Sequence, residues 1–78
     1  MMRGDRRIHM TEFQLKDEYI KLGQLLKAAG LAGSGVDAKI VIQDGLVKVD
    51  GQVDTRRGRK IYEGMVVEFQ GQQVKAVR

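Results

Sequence analysis

The sequence predicts an α+β domain in which two short packed helices lie against a small, mostly antiparallel sheet. Two helix-type repeats of apolar residues lie within residues 22–42, and shorter alternating segments precede and follow them. Asp50-Gly51 and Gln70-Gly71 separate alternating segments in the way that hairpin turns do. With 78 residues, the chain has room for one such domain.

The N-terminal residues 1–10 show no periodicity and contain three of the four methionines. We interpret residues 1–10 as a disordered arm or a remnant outside the fold, and residues 11–78 as a single domain. From Thr11 to Lys16, apolar Phe13 and Leu15 alternate with polar residues. This period of two predicts a half-buried strand at the edge of the sheet.

A first helix is predicted from Leu22, because Leu22, Leu25, Leu26 and Ala29 have the spacing of one helical face. Gly30 follows the last apolar residue of this repeat and marks its end. The helix is short, so its stability depends on packing against other elements.

A second helix is predicted after Ser34, whose hydroxyl group can accept a hydrogen bond from a free N–H of the first turn. Asp37 lies in that turn, where the helix dipole favours negative charge. Gly45 marks the end. The connection of residues 31–33 makes the two helices neighbours. The residues predicted to face inward are Ala38, Val41 and Ile42.

A hairpin follows the second helix, because Val47 and Val49 alternate with Lys48 and lead into Asp50-Gly51. A two-residue loop pairs Lys48 with Val53 and exposes Val53 on the face opposite the other valines. A three-residue loop places all three valines on one face. We favour the longer loop.

The C-terminal part continues as strands and turns. Glu63-Gly64 is typical of a turn, Met65 to Phe69 of a strand, Gln70-Gly71 of a hairpin connection, and Gln73 to Val77 of a last strand. The predicted order is therefore one strand, two helices and then strands to the end.

The composition argues against catalysis and against metal or cofactor binding. The chain has no cysteine, and its one histidine, His9, lies near the N-terminus. We find no nucleophile paired with a base and no phosphate-binding glycine motif. No apolar run approaches the ~20 residues of a membrane span. We expect a cytoplasmic monomer that is not an enzyme and has no cofactor.

The charge is uneven, which matters more than the net value of +4. Residues 11–55 carry a net −2, whereas residues 56–78 carry six cations and two carboxylates, a net +4. Such a local excess is typical of a surface that binds a polyanion, although a basic loop retained for solubility is the alternative. The candidate binding residues are Lys39, Lys48, Arg56, Arg57, Arg59 and Lys60.

We favour RNA as the polyanion. Charge alone also allows duplex DNA, but the second helix lacks the row of Arg, Asn and Gln that reads major-groove edges. Arginine binds phosphate through two hydrogen bonds, and Gly58 allows Arg57 and Arg59 to reach separate phosphates. We expect Lys39 and Lys48 to border the same basic groove; the alternative for Lys48 is a solvent-facing strand lysine. The chain has only four aromatic residues, so recognition of the shape and phosphates of structured RNA is favoured over base stacking. An acidic protein partner, such as a ribosome-assembly factor, is the alternative.

The central part of the chain resembles the alpha-L RNA-binding motif, the S-four-type domain of ribosomal small-subunit protein four, some tyrosyl-tRNA synthetases and pseudouridine synthases. It is particularly similar to the small stand-alone bacterial YaaA/YbcJ-like proteins. The matching features are Leu22, Leu25, Leu26 and Gly30 of the first helix, Ser34, Ala38 and Ile42 of the second, the run Gly45-x-Val47-x-Val49-Asp50-Gly51, and Gly64.

This resemblance implies a bacterial, ribosome-associated protein that binds ribosomal or transfer RNA through the second helix and the strands after it. Lys39 falls where the family commonly has a cation. Gly35 stands where many larger members carry an arginine, so we expect the loop from Arg56 to Lys60 to carry more of the binding here.

Overall fold

The computed structural model describes residues 9–78, which form two helices and seven strands and confirm the predicted α+β class. The helices are α1 (Leu22–Ala28) and α2 (Gly35–Gln43). The strands are β1 (His9–Gln14), β2 (Tyr19–Lys21), β3 (Val47–Val49), β4 (Gln52–Val53), β5 (Lys60–Tyr62), β6 (Val66–Phe69) and β7 (Gln72–Val77).

Five of these strands form one mixed sheet in the order β1-β7-β6-β3-β4. Its neighbours are antiparallel except β1 and β7, which are parallel. The predicted edge position of β1 is confirmed, but the strand begins at His9, so residues 9 and 10 belong to the sheet and not to the predicted arm. The rest of that prediction, for residues 1–8, lies outside the described residues.

The remaining two strands, β2 and β5, pair antiparallel as a separate ribbon that the sequence analysis missed. Each has three residues, too few for an alternating pattern to stand out. The ribbon joins the start of α1 to the end of the loop between β4 and β5, residues 54–59, so it fixes where that loop lies.

Both helices begin and end near the predicted signals. Ser34 is the N-cap of α2, and its Oγ accepts from the Asp37 N–H at 3.1 Å. Gly30 and Gly45 follow the helices with φ angles of 78° and 77°, in the left-handed region that glycine adopts without a steric penalty. Within residues 9–78, neither helix has the length and apolar character needed to cross a membrane.

A single apolar core lies between the helices and the strands. Its largest side chains are fully buried and come from α1, α2, β3, β5 and β6, which explains why these short elements are stable together. They are Leu22, Leu25, Leu26, Ile42, Val47, Ile61 and Val67.

The β3–β4 hairpin has the two-residue loop, so the prediction of a longer loop was wrong. Lys48 pairs with Val53 and Val49 pairs with Gln52, which leaves only Asp50 and Gly51 between the strands. Both loop residues have positive φ, 51° and 85°, as a turn that follows the twist of the strands requires. Turn geometry therefore prevails over the burial of Val53, which is 55% exposed.

Candidate nucleic-acid interface

The basic loop, residues 54–59, is fixed to the first turn of α1 by its backbone. The Leu22 N–H donates to the Arg59 carbonyl oxygen at 2.8 Å, and the Gly23 N–H donates to the Arg57 carbonyl oxygen at 3.0 Å. These two N–H groups have no acceptor within the helix, so the loop satisfies them. The loop therefore has a defined position beside α1.

A buried carboxylate at the start of the basic loop organises two of its arginines. The Asp54 side chain is only 7% exposed and accepts from the Arg56 Nε at 3.0 Å, the Arg56 Nη2 at 2.8 Å and the Arg59 Nη1 at 2.7 Å. It also accepts from the Arg56 backbone N–H at 3.0 Å. The hydrogen bonds from Arg56 hold the pKa of Asp54 well below its usual range despite burial.

The side chain of Arg57 lies apart from this cluster and enters a concavity between the basic loop and the two helices, which we call the helical groove. The groove has a volume of about 660 Å³. Among the described residues that line it, none is acidic. Its cations come from the end of β2, from α1, from α2 and from the loop. The lining includes Lys21, Lys27, Lys39 and Arg57, together with Gln24 and Ser34.

The structure divides the six predicted cations among several places. Lys39 and Arg57 line the helical groove, whereas Arg56 and Arg59 form ion pairs with Asp54. The expectation that all six border one concavity is therefore not met. Lys48 is exposed and alternates with two buried valines, so it lies on the face of the sheet opposite the core.

The sixth predicted cation, Lys60, lies on the ribbon. Its Nζ is 4.9 Å from the centroid of the Tyr19 ring, a cation–π contact. Lys60 pairs across the ribbon with Lys21, which lines the helical groove. Lys60 is thus close to the groove without lining it.

Sequence reasoning missed Lys21, Lys27 and Gln24, which complete the groove. Their spacing of three residues places them on one side of α1, next to the leucine stripe. That spacing was visible in the sequence. Their meeting with Arg57 was not, because it depends on the pairing of β2 with β5 and on the hydrogen bonds between the loop and α1.

The described chain is thus a small α+β domain of two packed helices and a mostly antiparallel sheet, the fold that the alpha-L resemblance implied. The family model of the S4 domain matches residues 13–77, and the chain belongs to the S4 domain family. The predicted family is confirmed.

Relatives of known name agree with this assignment. The chain is 46% identical over 69 residues to the Escherichia coli protein named "Putative RNA-binding protein YbcJ", covering 87% of this chain and 99% of that one. It is 48% identical over 54 residues to the Bacillus subtilis protein named "Probable ribosome maturation protein RlbA", covering 69% of this chain and 76% of that one.

A solved structure extends the likeness to the fold. The solution structure of E. coli YbcJ, described as revealing an αL motif involved in RNA-binding, superposes with a TM-score of 0.65. The superposition covers 100% of this chain and 98% of YbcJ, at 38% identity. The helices and strands described above therefore have the arrangement of the αL motif.

Proposed function

We propose that this protein is a non-catalytic RNA-binding protein that binds structured RNA, ribosomal or transfer RNA, through the helical groove. The observation that carries the proposal is the convergence of Lys21, Lys27, Lys39 and Arg57 on one groove whose described lining has no carboxylate. Phosphates are the groups such a surface attracts, and a groove suits a folded backbone better than a flat face.

The names of the relatives support RNA binding and a ribosomal RNA as the ligand. YbcJ is named for RNA binding and RlbA for ribosome maturation, so RNA of the ribosome is the first candidate. A protein that acts on such RNA would work in the cytoplasm. Lys39 and Arg57 both lie within residues 13–77, the part of the chain that matches the S4 domain.

The state of Asp54 supports a non-catalytic role. Asp54 is the one buried charged residue among those the structure describes, and two arginines occupy its oxygens. A carboxylate with a lowered pKa is a weak general base, and a saturated one has no free lone pair directed at a substrate. We therefore assign Asp54 to shaping the loop.

The test is the salt dependence of binding to a transfer RNA and to a ribosomal RNA hairpin. We expect log K to fall steeply with log salt, and Arg57→Ala to reduce the slope by about one. Lys39→Ala should weaken binding, whereas Lys75→Ala, which removes an exposed cation on β7, should not. Absent or salt-independent binding to both RNAs would exclude the proposal.

The acidic-protein alternative predicts a different result. Partners recovered with the protein from cells should then survive nuclease treatment, and Arg57→Ala should weaken that protein complex instead of RNA binding. Loss of all partners on nuclease treatment favours RNA.

A further inference from the structure

The outward face of the β2–β5 ribbon carries two tyrosines and two lysines as a compact block. Antiparallel pairing places Tyr19 opposite Tyr62 and Lys21 opposite Lys60. Directly opposed residues project to the same face of a sheet, and the intervening Ile61 is fully buried on the other face. The aromatic and cationic side chains are therefore neighbours on the surface.

The Tyr62 ring contacts the Tyr19 ring and still leaves much of its surface in solvent. The Tyr19 and Tyr62 rings are tilted by 53° with centroids 5.6 Å apart, and Tyr62 is 43% exposed. The Met65 Sδ lies 3.1 Å from the Tyr62 backbone nitrogen, which fixes the following turn against the strand. A ring that already packs against a neighbouring ring loses less conformational entropy than a free one when another flat ring stacks on it.

A concavity of about 530 Å³ lies beside this ring. We call it the tyrosine concavity, and its lining combines an aromatic ring and a thioether with three cations: Arg56, Gly58, Arg59, Lys60, Tyr62 and Met65. Flat apolar surface bordered by positive charge matches a nucleotide, which has a flat base and an anionic phosphate.

Two features connect the tyrosine concavity to the helical groove. Gly58, at the tip of the basic loop, lines both. Lys21 lines the groove, and its partner across the ribbon, Lys60, lines the concavity. The groove and the concavity therefore adjoin at Gly58 and have cations on both sides of it.

We propose that the tyrosine concavity binds an unpaired base of the RNA whose folded part occupies the helical groove, with Tyr62 stacking on the base. This rests on the proposed function. Arg56 contacts the adjoining phosphate. Its guanidinium has five N–H groups, of which Asp54 engages the Nε–H and one Nη2 hydrogen, and its side chain is 67% exposed. The protein then recognises a junction between paired and single-stranded RNA.

The experiment compares a blunt RNA hairpin with the same hairpin carrying a short single-stranded extension at the 5′ or the 3′ end. We expect the wild-type protein to bind one extended hairpin about tenfold more tightly than the blunt one, as stacking of one base provides. Tyr62→Leu should lose that gain and leave binding of the blunt hairpin unchanged. Tyr62→Phe, which retains the ring, should keep it.

The groove variant Lys39→Ala separates the two proposals, because it should weaken binding of all hairpins. If Tyr62→Leu has no effect while Lys39→Ala weakens binding, the stacking site is wrong and the groove stands. Equal losses on blunt and extended hairpins for Tyr62→Leu would also overturn the stacking site. If the wild-type protein binds no hairpin, both proposals fail.

A fluorescent base reports on stacking directly. The fluorescence of a 2-aminopurine base in the extension should be quenched on binding to the wild-type protein and not on binding to Tyr62→Leu.

Discussion

Gly23 lies directly beneath the side chain of Arg57. A Cβ atom at Gly23 would stand 2.6 Å from the Arg57 Cγ and 3.3 Å from its Cδ, whereas carbon atoms in contact are about 3.5–4.0 Å apart. The Gly23 N–H also donates to the Arg57 carbonyl oxygen. The absence of a side chain at position 23 thus allows Arg57 to cross the first turn of α1 into the helical groove.

Gly23→Ala should therefore weaken RNA binding about as much as Arg57→Ala does. The new methyl group displaces the Cγ of Arg57, near the root of its side chain, so the guanidinium cannot keep its place in the groove. Alanine is a better helix former than glycine, so we expect the variant to remain folded. Binding is measured by titration of a fluorescent RNA.

A double-mutant cycle is the control for Gly23→Ala. In the Arg57→Ala background the displaced atoms are absent, so adding Gly23→Ala should cost little further affinity. If the two losses add fully, Gly23 acts on binding by some route other than Arg57.

Asp54→Asn should lower the free energy of unfolding by about 2 kcal/mol. An amide can accept with only one oxygen, and its NH₂ group faces donors from Arg56 and Arg59. Urea unfolding at neutral pH measures the change. Asp17→Asn, at an exposed carboxylate, is the matched control and should change stability little.

The same carboxylate predicts a pH dependence of stability. Because folding lowers the pKa of Asp54 below its ordinary value of 3.8, its contribution is complete above that value and is lost as the pH falls further. Wild-type stability should therefore decrease more steeply in acid than that of Asp54→Asn: the gap between the two should begin to close below about pH 4 and keep closing as the pH falls towards the lowered pKa of Asp54. A constant gap between pH 7 and acid would contradict the Asp54 assignment.

The hairpin turn gives a separate stability prediction. Asp50 has a φ of 51°, and its Oδ1 accepts from the Val66 N–H at 2.9 Å. Asp50→Ala loses the hydrogen bond and strains the backbone, so we expect a loss of about 1–3 kcal/mol. Asp50→Asn retains a carbonyl acceptor and tolerates positive φ, so its urea midpoint should stay close to wild type. A similar loss for both variants would mean that the charge matters more than the turn.

Local signals were enough to predict the helices and the positions of the turns. Ser34 caps α2 through an N–H three residues away, and Gly45 ends the same helix by its own backbone angle. Both depend on neighbouring residues only. The predicted length of the β3–β4 loop was wrong because the prediction favoured burial of Val53 over the turn preference of Asp50-Gly51. Val53 instead lies near Gly45: a Cβ atom added to Gly45 would be 3.7 Å from the Val53 Cγ1.

The candidate site could not be predicted in full, because it depends on contacts between residues that are distant in the sequence. Four cations within five residues predicted a basic loop. Asp54, two residues before the first of them, binds Arg56 and Arg59 and leaves Arg57 to the groove. Lys21 meets that loop only because β2 pairs with β5, some forty residues later in the chain. The cluster of cations in the sequence therefore indicated an anionic ligand, whereas the fold determines which of the cations lie on the same surface.

The last prediction compares the two lysines, Lys39 and Lys48, that we expected from the sequence to border one groove. Lys39 lines the helical groove. Lys48 lies on the face of the sheet that points away from the core, and it is opposite Glu68 in the pairing of β3 with β6. Lys39→Ala and Lys48→Ala remove the same charge, so any long-range effect of net charge is equal in both. We expect Lys39→Ala to reduce RNA affinity several-fold and to lower the salt slope, and Lys48→Ala to do neither. Equal losses would mean that the RNA extends over the outer face of the sheet, and the interface would then have to include β3 and β4.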